Sequence, residues 1–364
     1  MKKLLSVALV LCLVLGLGSA AFAADYSVAM ITDYGDINDQ SFNQATYEAC
    51  KAFCEENEID FTYFKPTGDS TAERVAMVEK ADDKGFNVIV MPGFAFGETI
   101  VEVQNEYPDT IFIALEVSEG DLGGATLADN VYCECYKDEQ GGFIAGYAAV
   151  MLGYTHLGYL GGMAVPPVVR RGYGFLQGAN AAAEKLGIAD QVTVEYVYGN
   201  QFFADADITA YMDNWYQNLG VQVVFACGGG IYGSAAEAAA KVGGKVIGVD
   251  VDQSVIIDPA YGEGLTLTSA LKGLDVSVKT MLTEVLAGNF ANYGGKVETR
   301  GVVSEDPAAN YVGLPPTTQY SESFTEEDYK DMVAKMYSGE LVVSDAIDAM
   351  PATSITVNDL GTVK

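Results

Sequence analysis

Residues 32–44 bring together side chains that suit a flat, polar ligand. Phe42 stands between Asp39 and Asn43 at the predicted start of a helix, and Asp33 opens the same loop. An aromatic ring framed by hydrogen-bonding groups predicts a stacking platform for a planar molecule. A hydrophobic staple that fixes the entry of the chain into the helix is the structural alternative for this ring.

A second polar loop carries two more aromatic residues. Phe202 and Phe203 lie within residues 200–205, directly after a predicted strand. If the two loops face each other, one ring from each would hold a flat ligand between them. The pair of loops therefore predicts a sandwich site.

A glycine-rich turn follows a later predicted strand. Residues 228–233 have the spacing of a dinucleotide fingerprint, with Asp250 about 20 residues further on. This strand is the third of its series, so we interpret the amides near Gly228 as donors to a hydroxyl oxygen instead. Lys272, near another strand end, would pair with Asp250 and clamp a ribose, and a solvated surface lysine is the alternative. Arg171 lies either in the cleft or on the surface.

The composition excludes several classes of function. The 364 residues include 20 Lys and Arg, 50 Asp and Glu and a single His, giving a formal charge of −30. This acidic excess excludes a nucleic-acid footprint or a basic membrane patch. One His and six Cys leave few ligands for a His/Cys metal cluster and little for a histidine-based active site. We therefore expect no enzyme, no metal and no cofactor.

Residues 1–24 are predicted to be a cleaved secretory signal. Two lysines precede an apolar run, and residues 21–23 then place alanines before the cleavage point. The run is too short to span a bilayer, and Cys12 lacks the small preceding residue of a lipoprotein site. We expect a soluble mature chain in the periplasm, with no lipid anchor.

The other five cysteines are predicted to be buried thiols. Cys50 and Cys54 fall four residues apart on a predicted helix, and Cys133 and Cys135 fall two apart on an extended segment. Neither spacing is a usual disulfide geometry, and an odd number cannot pair completely within one chain.

From residue 26 onward, short β-branched runs alternate with amphipathic stretches, which predicts βαβ units on parallel sheets. The predicted fold class is α/β, with two doubly wound Rossmann-like lobes and a ligand cleft between them. The predicted bounds are 25–128 plus 253–295 for lobe I and 129–252 plus 296–364 for lobe II. Such sheets bind ligands at the carboxyl ends of their strands, where the polar loops lie.

These loops together resemble the basic membrane protein family of ABC transporter substrate-binding proteins, which includes purine nucleoside receptors. The similarity covers about residues 26–280. The matching segments are 32–44, 141–147, 160–178, 225–233, 247–253 and 268–272. The resemblance implies the type I periplasmic binding protein fold, two lobes that close over a ligand, and an ABC permease as partner.

The resemblance also implies roles for individual residues. Two phenylalanines of the family stack on the purine, and they match Phe42 and either Phe202 or Phe203, with the spacing to Asp205 favouring Phe203. The family's ribose contacts match Gly228, Asp250 and Lys272.

The base-reading positions match less completely. The family's base-reading carboxylate matches Asp33, and Asn43 adjoins the first stacking ring. Glu139 stands where related nucleoside receptors have Asn. A side chain that only accepts hydrogen bonds would alter the choice among purines.

The sequence therefore predicts an extracytoplasmic receptor that binds a purine nucleoside such as guanosine, adenosine or inosine and delivers it to an ABC permease. A single cleft predicts a monomer, and no nucleic-acid partner is expected. Two alternatives stay open. One is a sugar receptor of the same fold, and the other is an exported nucleosidase that would use Asp33, Asp36 and Asp39 as metal ligands or as a base. A structural role is favoured for His156, at a strand start.

Overall fold

The computed structural model describes residues 26–33 and 35–363. The predicted signal segment, residues 1–24, lies outside these residues. Within the described part of the chain, no helix is both long enough and apolar enough to cross a bilayer. The described elements form two sheets, each with helices on both faces.

Six parallel strands form the first sheet. Their bounds are β1 Val28–Ile31, β2 Phe61–Phe64, β3 Val88–Pro92, β4 Ile111–Leu115, β5 Val131–Tyr136 and β11 Lys296–Arg300. Their order is β11-β5-β4-β3-β1-β2. The helices packed on them are α1 Phe42–Glu56, α2 Thr71–Asp82, α3 Phe96–Val103 and α9 Leu274–Leu286. Because side chains alternate along a strand, Val28 and Val90 enter one apolar cluster and Ala29 and Ile89 the other.

Seven strands form the second sheet. Their bounds are β6 His156–Gly161, β7 Thr193–Tyr198, β8 Val223–Cys227, β9 Lys245–Asp250, β10 Thr266–Lys272, β12 Val312–Gly313 and β13 Thr356–Thr362. In the order β12-β10-β9-β8-β6-β7-β13, only β12 runs antiparallel to its neighbour among the described strands. Its helices are α4 Asp138–Met151, α5 Pro166–Leu186, α6 Ala206–Asn214, α7 Tyr232–Ala240, α8 Ser254–Tyr261 and α10 Glu326–Ser338. The predicted two-lobed α/β fold is confirmed.

The chain crosses between the lobes at other places than we predicted. β5 belongs to the first sheet, so the first crossing follows Tyr136 and not residue 128. Gly123 and Gly124 adopt φ values of 60° and 87° in the turns that precede β5. β10 pairs with β9 in the second sheet, whereas β11 pairs with β5 in the first, which corrects the later bounds. The hydrophobic pattern of a strand does not specify which sheet it joins.

The five described cysteines are buried free thiols, as predicted. Cys50 and Cys54 lie on the inner face of α1, and Cys133 and Cys135 lie on β5. Burial raises the pKa of Cys54 and that of Cys133 to about 12. These two thiols therefore stay protonated and unreactive at neutral pH.

The close packing of α4 on α5 depends on glycine. A methyl group on Gly142 would collide with the carbonyl oxygen of Arg171, and one on Gly178 would collide with that of Phe143. This contact sets the first residues of α4 beside Arg171, at the junction of the two lobes.

Candidate functional site

A cavity of about 720 Å³ lies between the loops that follow the strands of the two sheets. Carboxyl ends of parallel strands converge at one edge, which is where a doubly wound fold binds ligands. The predicted site residues that line the cavity are Asp33, Phe42, Asn43, Phe202, Phe203, Gly228, Asp250 and Lys272. Of the predicted residues, only Glu139 lies elsewhere.

Asp39 organises the polar part of the first-lobe wall. Its Oδ1 accepts the backbone N–H of Ser41 at 2.9 Å and that of Gln44 at 3.0 Å. Its Oδ2 accepts the backbone N–H of Asn43 at 2.9 Å. These bonds satisfy amides at the start of α1 that have no partner within the helix. Asn43 Nδ2 also donates to Asp39 Oδ2, at 3.2 Å, so the capping carboxylate orients the Asn43 amide.

Asp33 lies beside Asn43, just after β1. The Gly35 N–H donates to Asp33 Oδ1 at 2.7 Å. A methyl group on Gly35 would lie 3.0 Å from this oxygen and would collide with Asn43 Nδ2. Gly93, at φ 127°, lets the backbone pass close to the other oxygen of Asp33. We call Asp33, Asp39 and Asn43 the polar wall.

Phe42 begins α1, and its half-buried ring lines the cavity. Lys272 Nζ lies 5.3 Å from the centroid of this ring, which is a cation–π contact. The ring also packs against the apolar cluster beneath α1. Phe42 therefore contributes both to the core and to the cavity surface, which combines the two interpretations of its role.

The two phenylalanines of the second lobe lie in different environments. A methyl group on Gly162 would collide with the Phe202 ring, and one on Gly228 would lie 2.8 Å from it. The Phe202 ring is therefore packed on the backbone of two glycines. Phe203 also lines the cavity but is 62% exposed, so much of its ring is open to a ligand.

Five charged side chains form what we call the charged floor of the cavity: Glu116, Asp138, Arg171, Asp250 and Lys272. Arg171 lies 2.6 Å from Asp138 and 2.9 Å from Asp250. Lys272 lies 3.0 Å from Glu116 and 3.1 Å from Asp138. All five are more than nine-tenths buried. The guanidinium of Arg171 occupies the place next to Asp250 that we expected Lys272 to fill, which corrects the predicted pairing.

Burial and neighbouring charges shift the pKa values of the floor. Burial raises the pKa of Glu116 to about 7, with Asp138 adding to the shift and Lys272 opposing it. Burial acts in the same sense on Asp250, but Arg171 and Lys272 outweigh it and lower the pKa of that carboxyl. Burial acts to lower the pKa of Lys272, but the carboxylates of Asp138 and Glu116 raise it overall. At neutral pH the floor thus holds two cations, an ionised Asp250 and a Glu116 close to its titration point.

Left-handed backbone is concentrated at the cleft. Of the five described non-glycine residues with positive φ, four line the cavity, namely Gln40, Glu116, Asn200 and Asp250, with values of 57°, 63°, 60° and 65°. This conformation costs a non-glycine residue about 1–3 kcal/mol and is found preferentially at functional sites. The surrounding contacts hold these four residues in place.

Direct contacts join the lobes beside the cavity. Ser41 Oγ donates to Asp250 Oδ2 at 2.6 Å, and Gln253 Nε2 donates to the Gln40 carbonyl at 3.0 Å. The ion pair between Lys272 and Glu116 also links the second lobe to the first. The lobes are thus held together on one side of the cavity.

Glu139 is buried in α4 and does not line the cavity, which corrects its predicted place in the site. Burial raises its pKa to about 7. Asp138, one residue earlier, lines the cavity instead. Successive residues of an α-helix point about 100° apart, so α4 directs only one of the two into the cleft.

Glu116 and Asp138 are site residues that we did not anticipate from the sequence. Glu116 directly follows β4, so the strand-end rule was sufficient to find it. Asp138 follows β5, whose place in the first sheet we did not predict. Arg171, which the sequence left between the cleft and the surface, lies in the cleft.

The acidic loop assembles no metal centre within the described residues. Lys65 Nζ donates to Asp36 at 2.9 Å, and backbone amides fill the Asp39 carboxylate. Nowhere in residues 26–33 and 35–363 do three or more His, Cys, Asp or Glu side chains gather to hold a metal ion. His156 begins β6, at the opposite end from the cleft, and contacts Glu195 at 3.1 Å.

Comparison with known proteins gives a consistent family. The model of the family described as "ABC transporter substrate-binding protein PnrA-like" matches residues 26–346. The chain is 28% identical over 328 residues to the CD4+ T-cell-stimulating antigen of Listeria monocytogenes, covering 84% of this chain and 88% of that protein. It is 25% identical over 298 residues to the ABC transporter nucleoside-binding protein BmpA of Lactococcus lactis, covering 77% and 80%.

A similar fold occurs among solved structures. A crystal structure of an ABC transporter system solute-binding protein from Aeropyrum pernix K1 has a TM-score of 0.69 to this chain at 22% identity. The match covers 89% of this chain and 94% of that one. Both chains therefore share the two-lobed fold of solute-binding proteins.

Proposed function

The chain belongs to the Bmp family, the PnrA-like substrate-binding proteins of ABC transporters, and from that premise we propose that it binds a purine nucleoside. Guanosine, inosine or adenosine would lie in the cleft and pass to an ABC permease, without covalent chemistry. The name of the Lactococcus lactis relative, a nucleoside-binding protein, supports this ligand class.

The observation that carries the proposal is the pair of aromatic residues on opposite walls of one cavity. Phe42 comes from the first lobe and Phe203 from the second, and both line the cavity. Because Phe203 is largely exposed whereas Phe202 is packed on glycine, we assign the second stacking ring to Phe203. Two rings suit a planar base, whose faces they would cover by offset stacking.

The polar groups around these rings divide between a base and a sugar. Asp33 and Asn43 line the same cavity as Phe42 and would receive N–H groups of the base. Gly228, Asp250 and Lys272 would contact the ribose, Asp250 as an acceptor and the other two as donors. Asp250 already accepts from Arg171 and Ser41, and each carboxylate oxygen retains a second lone pair for a ribose hydroxyl.

The mechanism would be hinge closure. A ligand that touches both lobes adds binding free energy only to the closed arrangement, so it shifts the population toward that state. The contacts between Ser41 and Asp250 and between Lys272 and Glu116 would form at the same time. The closed receptor would then dock on its permease.

The family is extracytoplasmic, and we propose that the mature chain acts in the periplasm as a monomer. Fractionation of cells into periplasm and membranes tests the location, and light scattering of the purified chain tests the monomer. Recovery of the chain only with membranes would contradict the proposed soluble periplasmic form.

Calorimetric titration tests the ligand class. We expect guanosine, inosine or adenosine to bind with a dissociation constant below tens of micromolar, and free ribose not to compete. If no nucleoside binds in this range, the proposal fails. If ribose or another sugar displaces the ligand, the site is that of a sugar receptor.

A second experiment separates ribose recognition from stacking and from catalysis. Asp250→Asn should weaken guanosine about tenfold while leaving guanine nearly unchanged, because only the nucleoside carries hydroxyl donors. Equal losses for both ligands would contradict the ribose assignment. Incubation with guanosine and a divalent metal should release no ribose, and ribose release would identify a nucleosidase instead.

A further inference from the structure

The Asn43 side chain uses one of its two hydrogen-bonding groups. Nδ2 donates to Asp39 Oδ2, whereas Oδ1 has no partner among the described residues, although the side chain is only 5% exposed. A buried acceptor without a partner carries a free-energy cost, so native proteins rarely leave one. Because Asn43 lines the cavity, a ligand donor would satisfy this oxygen.

Asp39 determines which end of the Asn43 amide remains without a hydrogen-bond partner. The backbone N–H groups of Ser41, Asn43 and Gln44 all point at its carboxylate. An ionised carboxylate accepts hydrogen bonds and donates none. A flipped amide would set Asn43 Oδ1 against Asp39 Oδ2, two acceptors with no hydrogen between them. The amide therefore keeps Nδ2 toward Asp39, and Oδ1 stays available.

The polar wall consequently offers acceptors to a base. Asp33 and Asn43 both lie next to Gly35, and the ionised Asp33 carboxylate also only accepts hydrogen bonds. Purine bases differ in the donors that they present on one edge. Guanine carries N–H groups on both N1 and N2, hypoxanthine carries one on N1, and adenine has a single amino group flanked by ring nitrogens that accept. Guanine is the base that an acceptor wall fits best.

We propose that Asp39, acting through Asn43, makes the cleft selective for guanine nucleosides over adenine nucleosides. The proposal rests on the nucleoside-binding function argued above and adds the choice of base. Asp39 is a positioning residue, since it reaches the base only through the Asn43 amide. A matched pair of hydrogen bonds discriminates between bases by about tenfold to a hundredfold.

The test is calorimetric titration of the full chain with guanosine, inosine and adenosine. We expect affinity to fall in that order, with guanosine at least about tenfold tighter than adenosine. In Asp39→Asn, the amide oxygen still accepts the Ser41 and Gln44 N–H groups, whereas the amide nitrogen replaces Oδ2. The Asn43 backbone N–H then loses its acceptor, and the new nitrogen is a donor for Asn43 Oδ1. The Asn43 Nδ2 then turns to the ligand, and the ratio of guanosine to adenosine affinity falls toward one. A role confined to folding would weaken all three nucleosides equally.

Asp205→Asn is the matched control. Asp205 caps α6 in the other lobe by accepting the Ile208 N–H at 2.9 Å, and the ratio should not change in that variant. Asn43→Ala, which removes the unpartnered acceptor but leaves the Asp39 cap, should also lower the ratio, and it serves if Asp39→Asn loses its circular dichroism spectrum.

Three outcomes are decisive. Equal affinity of the unaltered chain for adenosine and guanosine would overturn the proposal while leaving the nucleoside-binding function standing. An unchanged ratio in both folded variants would overturn the role of Asp39 and Asn43. Failure of every nucleoside to bind would overturn the proposed function itself.

Discussion

The polar wall and the charged floor differ in how their buried polar groups are compensated. In the wall, backbone N–H groups donate to both oxygens of Asp39, and Asn43 Oδ1 has no hydrogen-bond partner among the described residues. In the floor, each cation contacts two carboxylates, as Arg171 does with Asp138 and Asp250. The wall leaves a neutral acceptor that a ligand donor would satisfy, whereas the floor compensates its buried charges within the protein. Glu116 Oε2, both oxygens of Asp138 and two nitrogens of Arg171 in the floor also lack a hydrogen-bond partner among the described residues. We infer that the wall governs which base binds and that the floor governs stability and closure.

The largest expected effect follows from removing the central cation of the floor. Arg171→Met would remove one of the two cations of the floor, leaving Asp138 with Lys272 and Asp250 without an ion pair among the described residues. Breaking a buried pair by removing one partner costs about 3–5 kcal/mol, because an uncompensated charge stays in the interior. Urea unfolding followed by circular dichroism should show this loss.

Arg170→Met is the matched control for that change. Arg170 is only half-buried and joins none of the ion pairs found in the described residues, so its loss should cost less than about 1 kcal/mol. Equal effects of the two substitutions would show that charge compensation does not hold the floor together.

The second effect concerns pH. Burial raises the pKa of Glu116 from 4.5 to about 7, so between these values the folded chain binds a proton that the unfolded chain releases. Stability should therefore fall as pH rises from 4.5 to 7 and then level off, by at most about 3 kcal/mol for this group. The urea midpoint should be higher at pH 5.5 than at pH 7.5.

Substitutions identify which groups cause the fall in stability with rising pH. Glu116→Gln should flatten the dependence, and so should Glu139→Gln in part, because burial also raises the pKa of Glu139 to about 7. Asp250 should change the stability in the opposite sense. Because its pKa is lowered in the folded chain, the chain loses stability only as pH falls below the ordinary value of 3.8. A midpoint that rises between pH 5.5 and pH 7.5 would contradict the raised pKa values.

The wall was easier to predict from the sequence than the floor. Asp33 and Asn43, with the neighbouring Phe42, lie between the end of β1 and the first turn of α1, so local spacing and the strand-end rule were enough to find them. The ion pair of the floor between Lys272 and Glu116 joins residues 156 positions apart. No local pattern encodes such a pair, and only the packing of the two sheets brings its members together.

The fold shows the same limit. The buried run of β5 was recognisable as extended structure, but its membership of the first sheet depends on pairing with β4 and β11. The choice between Phe202 and Phe203 likewise depends on distant residues. Gly162, in the loop after β6, provides the surface on which the Phe202 ring packs.

The third prediction tests whether stacking is independent of the wall. Phe203→Ala should lower the affinity for guanosine and for adenosine equally, by about 1–3 kcal/mol, because stacking does not depend on the donors of the base. Phe202→Ala should instead lower the thermal midpoint more than the affinity. Calorimetry and thermal unfolding of both variants would show this, and a loss confined to one nucleoside would place Phe203 among the base-reading groups.

The smallest expected effect comes from removing a hydrogen bond that joins the wall region to the floor. Ser41 lies between Asp39 and Asn43 of the polar wall, and its Oγ donates across the lobes to Asp250 in the charged floor. Ser41→Ala removes this hydrogen bond but keeps the backbone N–H of residue 41, which donates to Asp39. The closed arrangement should lose about 1 kcal/mol relative to the open one.

That loss should lower guanosine and adenosine affinity by the same factor of about five, because the free energy of closure does not depend on which base is bound. Small-angle scattering of the ligand-free chain should show a larger radius of gyration. Ser70→Ala, at the start of α2, removes a capping serine that lies within the first lobe and should change neither quantity. If Ser41→Ala alters the guanosine to adenosine ratio instead, then Ser41 belongs functionally to the wall, and the wall and floor are one coupled unit.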